Sequence, residues 1–554
     1  MPWLVAGAAA LAGPHTLGAE VHEGWVPVAA VTSEMTVDHG RRVGPTGRRW
    51  VRVRAPAGAF GEWSHQPLPP PAVGYPGVEE GLERLEQAVA GAPRAGSVAL
   101  GASEEGRGMV AAWFGQAPWS GAPAVRVVAG HHGDEAIGWM VALELAEELS
   151  AADGVDPAWS EVLDDTTVWV VPMANPDGVE ANTRHNAAGI DLNRSYDWAW
   201  QLGSVSGEVP LEPAETWSLA SWGQLVRPAL GVSLHSGANN LGWVWNHDLE
   251  PAPDAQALRE LALDYAQTLG DDTFWVTNGA EWYRTYGDQN DWSYGRYGGW
   301  DFTLELSEVK APPVDTVGPV VERHLQALQQ LLATPIDVFR VVDATTGEPV
   351  EAWVETSGRG RWTDPVLGQV GLPEGQEVVR AEAFGYDPAP FGADGVARVV
   401  PRRLVRSPPR LVAVGDPLPG DWPDPFTLHQ AGRASLDGLR AGDRAEVPGL
   451  FTVEGPGGQV WPHGLIVTEG WATDDDRAVA GATGIRGGRP AWGLVADGEA
   501  DVWWSAGRWL RGAPSGDVVA EGVRPRGAAC QVVPVSGHLL LAWLSLGWVA
   551  RRQL

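Results

Sequence analysis

The stretch AVRVVAGHHGDEAIGWMVALELAEELSAA, residues 124–152, joins two patterns that are typical of different secondary structures. Its compact apolar start predicts a buried strand that ends near Gly130, and the long run from Ala136 has the length of a helix. Between the two stand a pair of histidines and a pair of acids. Open α/β sheets carry their sites at the carboxyl ends of strands. The chemistry of the chain is therefore expected at this bend.

The alternation of strands and helices extends to both sides of this stretch. Residues 77–92 and 321–333 have apolar residues at helical spacing, and TVWVVPM at 167–173 is a compact strand. Strands that alternate with helices predict an α/β domain. We expect it to span residues 72–335 and to contain a mixed, largely parallel sheet flanked by helices.

Small all-β domains are predicted after residue 335, where the helical pattern ends. VFRVVDATTGEPVEAWVET and EVVRAEAFGYDP alternate as strands do, which predicts a β-sandwich over 336–405. Gly- and Pro-rich sequence with short strands predicts a second β-rich domain over 406–525, to which no motif assigns a role. Residues 20–71 read as an N-terminal segment that ends in a proline-rich linker.

Both ends of the chain indicate export. Residues 1–19 have a short apolar core and end in the small residue Ala19, which is typical of a signal peptide although a basic start is missing. Residues 526–554 contain the one cysteine, Cys530, then an apolar run and two arginines. This order indicates a sorting or anchoring tail, with a buried C-terminal element as the alternative. The expected location is the cell surface, the outer membrane or the medium, with the periplasm as an alternative.

The net charge of the chain indicates which classes of partner it can bind. The chain has 70 acidic against 39 basic residues and a formal net charge of −31. This disfavours nucleic acid as a partner, because phosphates would not be neutralised. Such a surface attracts cationic peptides, although it is also an ordinary means of staying soluble. No oligomeric state is indicated.

Two metal-ligand pairs overlap in the sequence HHGDE. His131 with Asp134 and His132 with Glu135 each place an acid three residues after a histidine. Zinc accepts histidine nitrogen and carboxylate oxygen, but a site needs a third protein ligand. His235, at the end of another apolar strand, is the downstream candidate. Spacing alone leaves both pairs open.

Together these residues resemble the zinc metallocarboxypeptidases, whose motifs recur in order over 72–335. The motifs are Gly130–Glu135, Asn175–Gly178, Arg184, Asp191–Arg194, His235–Ser236, Tyr283 with Asp291–Trp292, and Thr303–Glu305. The family's register selects His132 with Glu135. In the family's regulatory N/E branch a transthyretin-like sandwich follows the catalytic domain, which is the position of 336–405. The resemblance implies the same fold here.

The resemblance implies a single zinc ion and an activated water. His132, Glu135 and His235 match the zinc ligands, and Asp191 matches the carboxylate that orients a ligand histidine. Glu305 matches the general base.

The resemblance also implies a substrate site. Arg184 matches the residue that stabilises the oxyanion, and Asn193 with Arg194 matches the clamp for a terminal carboxylate. Tyr283 matches the tyrosine that closes over the bound residue.

Three positions depart from the family's pattern. Asp134 stands where the digestive branch has an arginine. Asn290 falls at the pocket-floor position, and Asp248 lies near an acid that gives the N/E branch its preference for Lys and Arg. These departures leave the preferred C-terminal residue open.

The expected function is that of an exported zinc carboxypeptidase acting on the C-termini of peptides and proteins. A murein-peptide amidase that cuts a γ-glutamyl–diaminopimelate bond is the alternative on the same fold. A catalytically inactive relative that binds peptide or glycan is a third reading, which the intact ligand set and Glu305 disfavour.

Overall fold

The computed structural model describes most of the chain in two compact units, one of residues 1–70 with 187–189 and one of the remainder. The described residues are 21–33, 35–43, 49–61, 65–67, 74–402, 410–420, 422, 424–430, 433, 435–456, 459–468, 470–471, 494–496, 500–505 and 508–512. The predicted signal peptide, the proline-rich run at 68–73 and the predicted tail with Cys530 lie outside them. Within the described residues, none of the helices has the length and apolar character needed to cross a membrane.

The smaller unit is a four-stranded antiparallel sheet in the order β2-β3-β1-β4. Its strands are β1 (Val21–Pro27), β2 (Thr36–Val43), β3 (Arg49–Pro56) and β4 (His65–Pro67). A small apolar cluster that includes Val26, Val53 and Phe60 forms its core.

An eight-stranded mixed sheet forms the centre of the larger unit. Its strands are β5 (Ala95–Ala102), β6 (Gly108–Gly115), β7 (Ala124–Ala129), β8 (Thr167–Val171), β9 (Leu230–His235), β10 (Ala238–Trp243), β11 (Trp275–Asn278) and β12 (Trp300–Ser307). The order is β11-β10-β12-β9-β7-β8-β6-β5, and the neighbours from β12 to β8 are parallel. The predicted mixed, largely parallel sheet is confirmed.

Helices cover this sheet. They are α1 (Val78–Gly91), α2 (Ala136–Ala152), α3 (Pro157–Asp165), α4 (Pro176–Ala181), α5 (Ala214–Val226), α6 (Ala255–Leu269), α7 (Gly279–Trp282), α8 (Gln289–Tyr297) and α9 (Gly318–Leu332). Successive residues of β7 enter different apolar clusters, Val127 with α2 and Val128 with α5. Because side chains alternate across a strand, the two clusters lie on opposite faces of the sheet.

Seven short strands follow and form a β-sandwich. They are β13 (Ile336–Asp343), β14 (Trp353–Thr356), β15 (Arg361–Trp362), β16 (Gln369–Pro373), β17 (Val378–Glu382), β18 (Tyr386–Asp387) and β19 (Val396–Pro401). They make two sheets, β16-β13-β19-β18 and β15-β14-β17. Val341, Val354 and Ala397 belong to one buried cluster between them.

The remaining described strands make two further sheets. They are β20 (Arg410–Ala413), β21 (Phe426–His429), β22 (Leu436–Leu439), β23 (Gly449–Gly455), β24 (Gln459–Thr468), β25 (Gly470–Trp471), β26 (Leu494–Ala496), β27 (Ala500–Ser505) and β28 (Arg508–Gly512). The orders are β20-β24-β23-β21-β22 and β25-β28-β27-β26. The chain after the sandwich is therefore β-rich, as its sequence indicates.

Candidate metal centre and active-site cleft

The bend between β7 and α2 depends on close backbone packing. Gly130 has a φ of +71°, a conformation that favours glycine. A Cβ on Gly133 would lie 1.8 Å from the backbone of Gly178, so only glycine fits there. The Asn175 amide donates to the carbonyl of His131 (3.1 Å) and accepts from the Gly178 amide (2.9 Å). The N-P-D-G motif, Asn175–Gly178, therefore packs against the bend and stabilises it.

Three buried side chains meet at this bend. His132 Nδ1 lies 3.0 Å from Glu135 Oε1, and His235 Nδ1 lies 2.9 Å from Glu135 Oε2. The two Nδ1 atoms are 3.2 Å apart. Within the described part of the chain, these three residues are the one group whose ligand atoms all lie close enough together, within 4.8 Å, to hold a metal ion.

The outer nitrogens of both histidines have partners of their own. His132 Nε2 lies 3.0 Å from Asp191 Oδ1, and His235 Nε2 lies 2.9 Å from Ser233 Oγ. These contacts fix the ring orientations and leave Nδ1 of each ring facing Glu135. Two imidazole nitrogens and one carboxylate are a donor set of catalytic zinc sites. The residues present therefore fit a zinc ion.

The other histidine–acid pair does not converge. His131 is fully buried, with Nε2 3.0 Å from the Tyr196 hydroxyl. Asp134 instead accepts a hydrogen bond from Lys310 Nζ at 2.9 Å. The geometry thus distinguishes the two pairs that spacing alone left open.

Asp191 links the centre to Arg184. Its Oδ2 accepts from Arg184 Nε at 2.9 Å, and its Oδ1 faces His132. Burial opposes ionisation, but Arg184 and His132 hold the pKa of Asp191 well below its usual range. Arg184 Nη1 lies 3.2 Å from His132 Nδ1 and 3.5 Å from Glu135 Oε1. Its cationic end therefore reaches the edge of the metal centre.

Glu305 lies beside the centre on the same face of the sheet. It pairs in register with His235 on β9 and with Asn240 on β10, so the three side chains form one row. Its side chain is buried, and Oε2 has no hydrogen-bond partner among the described residues. Burial, with the charge of Glu135, raises the pKa of Glu305 to about 8. A dication held by Glu135 would remove the second of these causes.

A cleft opens over this row. Asn193, Arg194 and Tyr283 all line it, together with the metal-centre residues, Arg184 and Glu305. The Asn193 Oδ1 accepts from the Gln289 amide at 2.9 Å, which fixes this side chain. Tyr283 stands at the end of α7 and is 47% exposed. The structure therefore brings every predicted site residue to one cleft, either in its lining or, as Asp191, directly behind it.

The lining of the cleft also contains residues to which the sequence assigned no role. Asp288 is buried in the lining and accepts from the Thr285 hydroxyl at 2.6 Å. Burial, with neighbouring Asp291, raises the pKa of Asp288 to about 7. Asn240 is also buried in the lining, and neither of its amide atoms has a hydrogen-bond partner in the described structure. Asp288 could have been noticed as the N-cap of α8, although capping alone gives no reason to expect it in a site.

Two residues considered for selectivity lie elsewhere. Asn290 lies behind the lining, where its Oδ1 accepts from the side-chain amide of Asn246 at 2.7 Å. Asn246 itself lines the cleft. Asp248 is exposed and accepts from the Glu250 amide. Both lie outside the lining of the cleft.

The fold and this centre are those of an α/β protein with a candidate metal site. Residues 83–327 match the model of the zinc carboxypeptidase family. Similar proteins include carboxypeptidase SOL1 of Arabidopsis thaliana, 28% identical over 43% of this chain and 51% of that protein. Carboxypeptidase D of Anas platyrhynchos is 27% identical over 49% of this chain and 22% of that protein.

The chain thus spans about half of the plant relative and about a fifth of the avian one. Among solved structures, bovine thrombin-activatable fibrinolysis inhibitor in complex with tick carboxypeptidase inhibitor aligns with a TM-score of 0.42 and 17% identity. That alignment covers 47% of this chain and 96% of the solved chain.

Proposed function

We propose that this protein is an exported zinc-dependent carboxypeptidase that hydrolyses the C-terminal bond of peptides and proteins. The observation that carries the proposal is the row of His235, Glu305 and Asn240 in a cleft that Arg184 and Arg194 also line. Carboxypeptidase relatives support the reaction class. The export signals that the sequence predicts at 1–19 and 526–554 support the location.

The metal would be held by His132, Glu135 and His235. Bound there, zinc would supply a Lewis acid that polarises the scissile carbonyl and lowers the pKa of a water molecule. Glu305 is the proposed general base, which takes a proton from the attacking water and delivers it to the leaving amine. Its burial beside the ligands and its unpaired Oε2 support that role.

Arg184 is the proposed stabiliser of the negative charge that develops on the carbonyl oxygen. Its contacts with Asp191 preorganise the guanidinium, so the group need not reorient during the reaction. Asn193 and Arg194 are the proposed clamp for the terminal carboxylate, because a planar guanidinium suits a carboxylate bidentately. Tyr283, exposed at the rim, would cover the bound residue.

One observation favours the amidase alternative. The cleft lining is polar, with Asp288, Thr285 and the unpaired amide of Asn240. A diaminopimelate side chain ends in an ammonium and a carboxylate, both of which would find partners there. The β-sandwich at 336–405, which we propose to be the transthyretin-like domain of the N/E branch, supports the carboxypeptidase instead.

A peptide library tests the proposal. The full chain should release single C-terminal residues, lose activity to a zinc chelator and regain it with added zinc, whereas an amidase would cut only γ-glutamyl–diaminopimelate peptides. Glu305→Gln should retain zinc and lose about 10²–10⁴-fold in kcat, because an amide cannot accept the proton. Glu308→Gln, an exposed glutamate just after the same strand, is the matched control. Turnover by the Glu305→Gln variant at the wild-type rate would refute the assigned mechanism.

A further inference from the structure

A turn of the β-sandwich reaches into the catalytic domain. It joins β14 to β15 and presents Arg359. The guanidinium carbon lies 5.4 Å from the ring centre of Trp198, 5.6 Å from that of Trp245 and 5.3 Å from that of Tyr294. Three rings around one guanidinium make a box that favours a cation.

The guanidinium also caps α8. It donates from Nε to the carbonyl of Tyr294 at 2.7 Å and from Nη2 to that of Gly295 at 2.6 Å. Carbonyls in the last turn of a helix form its negative end, and that of Tyr294 also accepts from the Gly298 backbone N–H at 3.1 Å. Burial lowers the pKa of Arg359, although Tyr294 and Asp254 oppose the shift. The Arg359 amide further donates to Asp254 at 3.2 Å, which fixes the turn against the domain.

The elements that Arg359 holds form the side wall of the cleft. Helix α8 starts next to Asp288, which lines the cleft. In the first turn of α8, the Asp291 carboxylate accepts from the backbone amides of Asn246 at 2.8 Å and of His247 at 3.0 Å. Asn246 lines the cleft directly after Trp245. One arginine of the sandwich therefore contacts both elements that carry these lining residues, α8 at its C-terminal end and the loop at Trp245.

A second contact joins the sandwich to the catalytic domain away from the wall. Arg227, at the end of α5, forms an ion pair with Glu351 of the sandwich at 2.5 Å. Neither residue lines the cleft. This pair holds the two domains together without contacting α8 or Asn246. It can therefore serve as a control contact that stabilises the domain interface but does not position the cleft residues.

We infer that the β-sandwich contributes to the substrate site, with Arg359 as the positioning residue that fixes the two elements carrying the cleft residues Asp288 and Asn246, namely α8 and the loop that follows β10. The inference rests on the proposed function and extends it, because it assigns a role to a domain that carries no chemistry of its own. Arg359 acts through Tyr294, Gly295 and Trp245 and does not itself line the cleft.

Steady-state kinetics of the full chain test this inference, with furylacryloyl dipeptides that end in arginine or in phenylalanine. Arg359→Ala should raise KM about tenfold and change kcat less than threefold, because small displacements of positioning groups are costly. Arg359→Lys keeps the charge but not the planar fork, so its KM should lie between those of wild type and Arg359→Ala. Glu351→Gln should lower Tm and leave KM at the wild-type value.

Several results would overturn the inference. One is a wild-type KM for Arg359→Ala with only a lower Tm, and another is failure of Arg359→Ala to fold together with a wild-type KM for Arg359→Lys. A KM raised equally by Glu351→Gln would also refute it, since cohesion alone would then explain the effect. If the wild-type chain cleaved no peptide at all, the proposed function would fail first and this inference with it.

Discussion

Replacing Asp191 by asparagine is expected to weaken zinc binding while leaving the fold intact. The carboxylate accepts from Arg184 Nε and Nη2 at 2.9 and 2.8 Å, faces His132 Nε2 at 3.0 Å, and caps the turn at Asn193 at 3.0 Å. Asparagine keeps the shape, one carbonyl oxygen and the capping ability. What it removes is the negative charge that orients His132.

The magnitude follows from these contacts. Loss of the partner behind a ligand histidine typically costs about 10–100-fold in metal affinity, which is about 1.4–2.7 kcal/mol. Arg184 would lose its carboxylate partner while its Nη1 stays 3.5 Å from Glu135 Oε1, where its charge competes with the metal for the same group. We therefore expect a value near the upper end, about 100-fold.

The measurement is a zinc dissociation constant from competition with a chromophoric chelator, with Tm recorded beside it. Asp177→Asn is the matched control, because this buried carboxylate also accepts from an arginine, Arg107 Nη1 at 2.6 Å, and from the Ser103 hydroxyl at 2.6 Å, but touches no histidine. The control should lower Tm without changing the zinc constant. Affinity within twofold of wild type for Asp191→Asn, or an equal loss in both variants, would refute the reasoning.

Further substitutions test the ligand assignment and the cleft wall. His131→Ala should lower stability by about 2–4 kcal/mol through a cavity and a lost hydrogen bond, yet retain zinc, whereas His132→Ala should lose zinc; metal analysis of the purified variants decides. Asp288→Asn should lower the ratio of kcat/KM for arginine over glutamine C-termini about tenfold, because a buried charge-assisted contact is lost, while Asp248→Asn, on the exposed surface, leaves the ratio unchanged. Since the pKa of Asp288 is about 7, the wild-type ratio should rise with pH through that value as the carboxylate ionises. A ratio that does not change with pH would contradict a role for Asp288 in binding the arginine side chain.

The elements that the sequence predicted best are those set by local pattern. The strand, bend and helix of 124–152 appear as β7 at Ala124–Ala129 and α2 at Ala136–Ala152. Long apolar runs determine such elements, because burial of a face stabilises them wherever they pack.

The residues of the cleft wall could not be predicted from the sequence, because their placement depends on contacts between distant segments. Positions relative to motifs indicate Asn290 and Asp248 as selectivity residues, but neither lies in the lining of the cleft. Asp288 reaches the cleft because α8 is held against the Asn246 loop, about forty residues earlier in the chain, by Asp291. Pattern within a segment contains no information on such a pairing.

Asp134 shows how a departure from a family pattern is resolved only in three dimensions. In sequence, an acid there implies that a cationic contact beside the ligands has been lost. The structure places Lys310, from the segment after β12, with Nζ 2.9 Å from Asp134 Oδ2 and 3.3 Å from Glu135 Oε1. Asp134 and Glu135 together raise the pKa of Lys310 against the effect of burial, so the amine stays charged. A positive charge thus stands beside the centre after all, and Asp134 is the group that holds it there, since a metal ion on Glu135 would repel the amine toward Asp134.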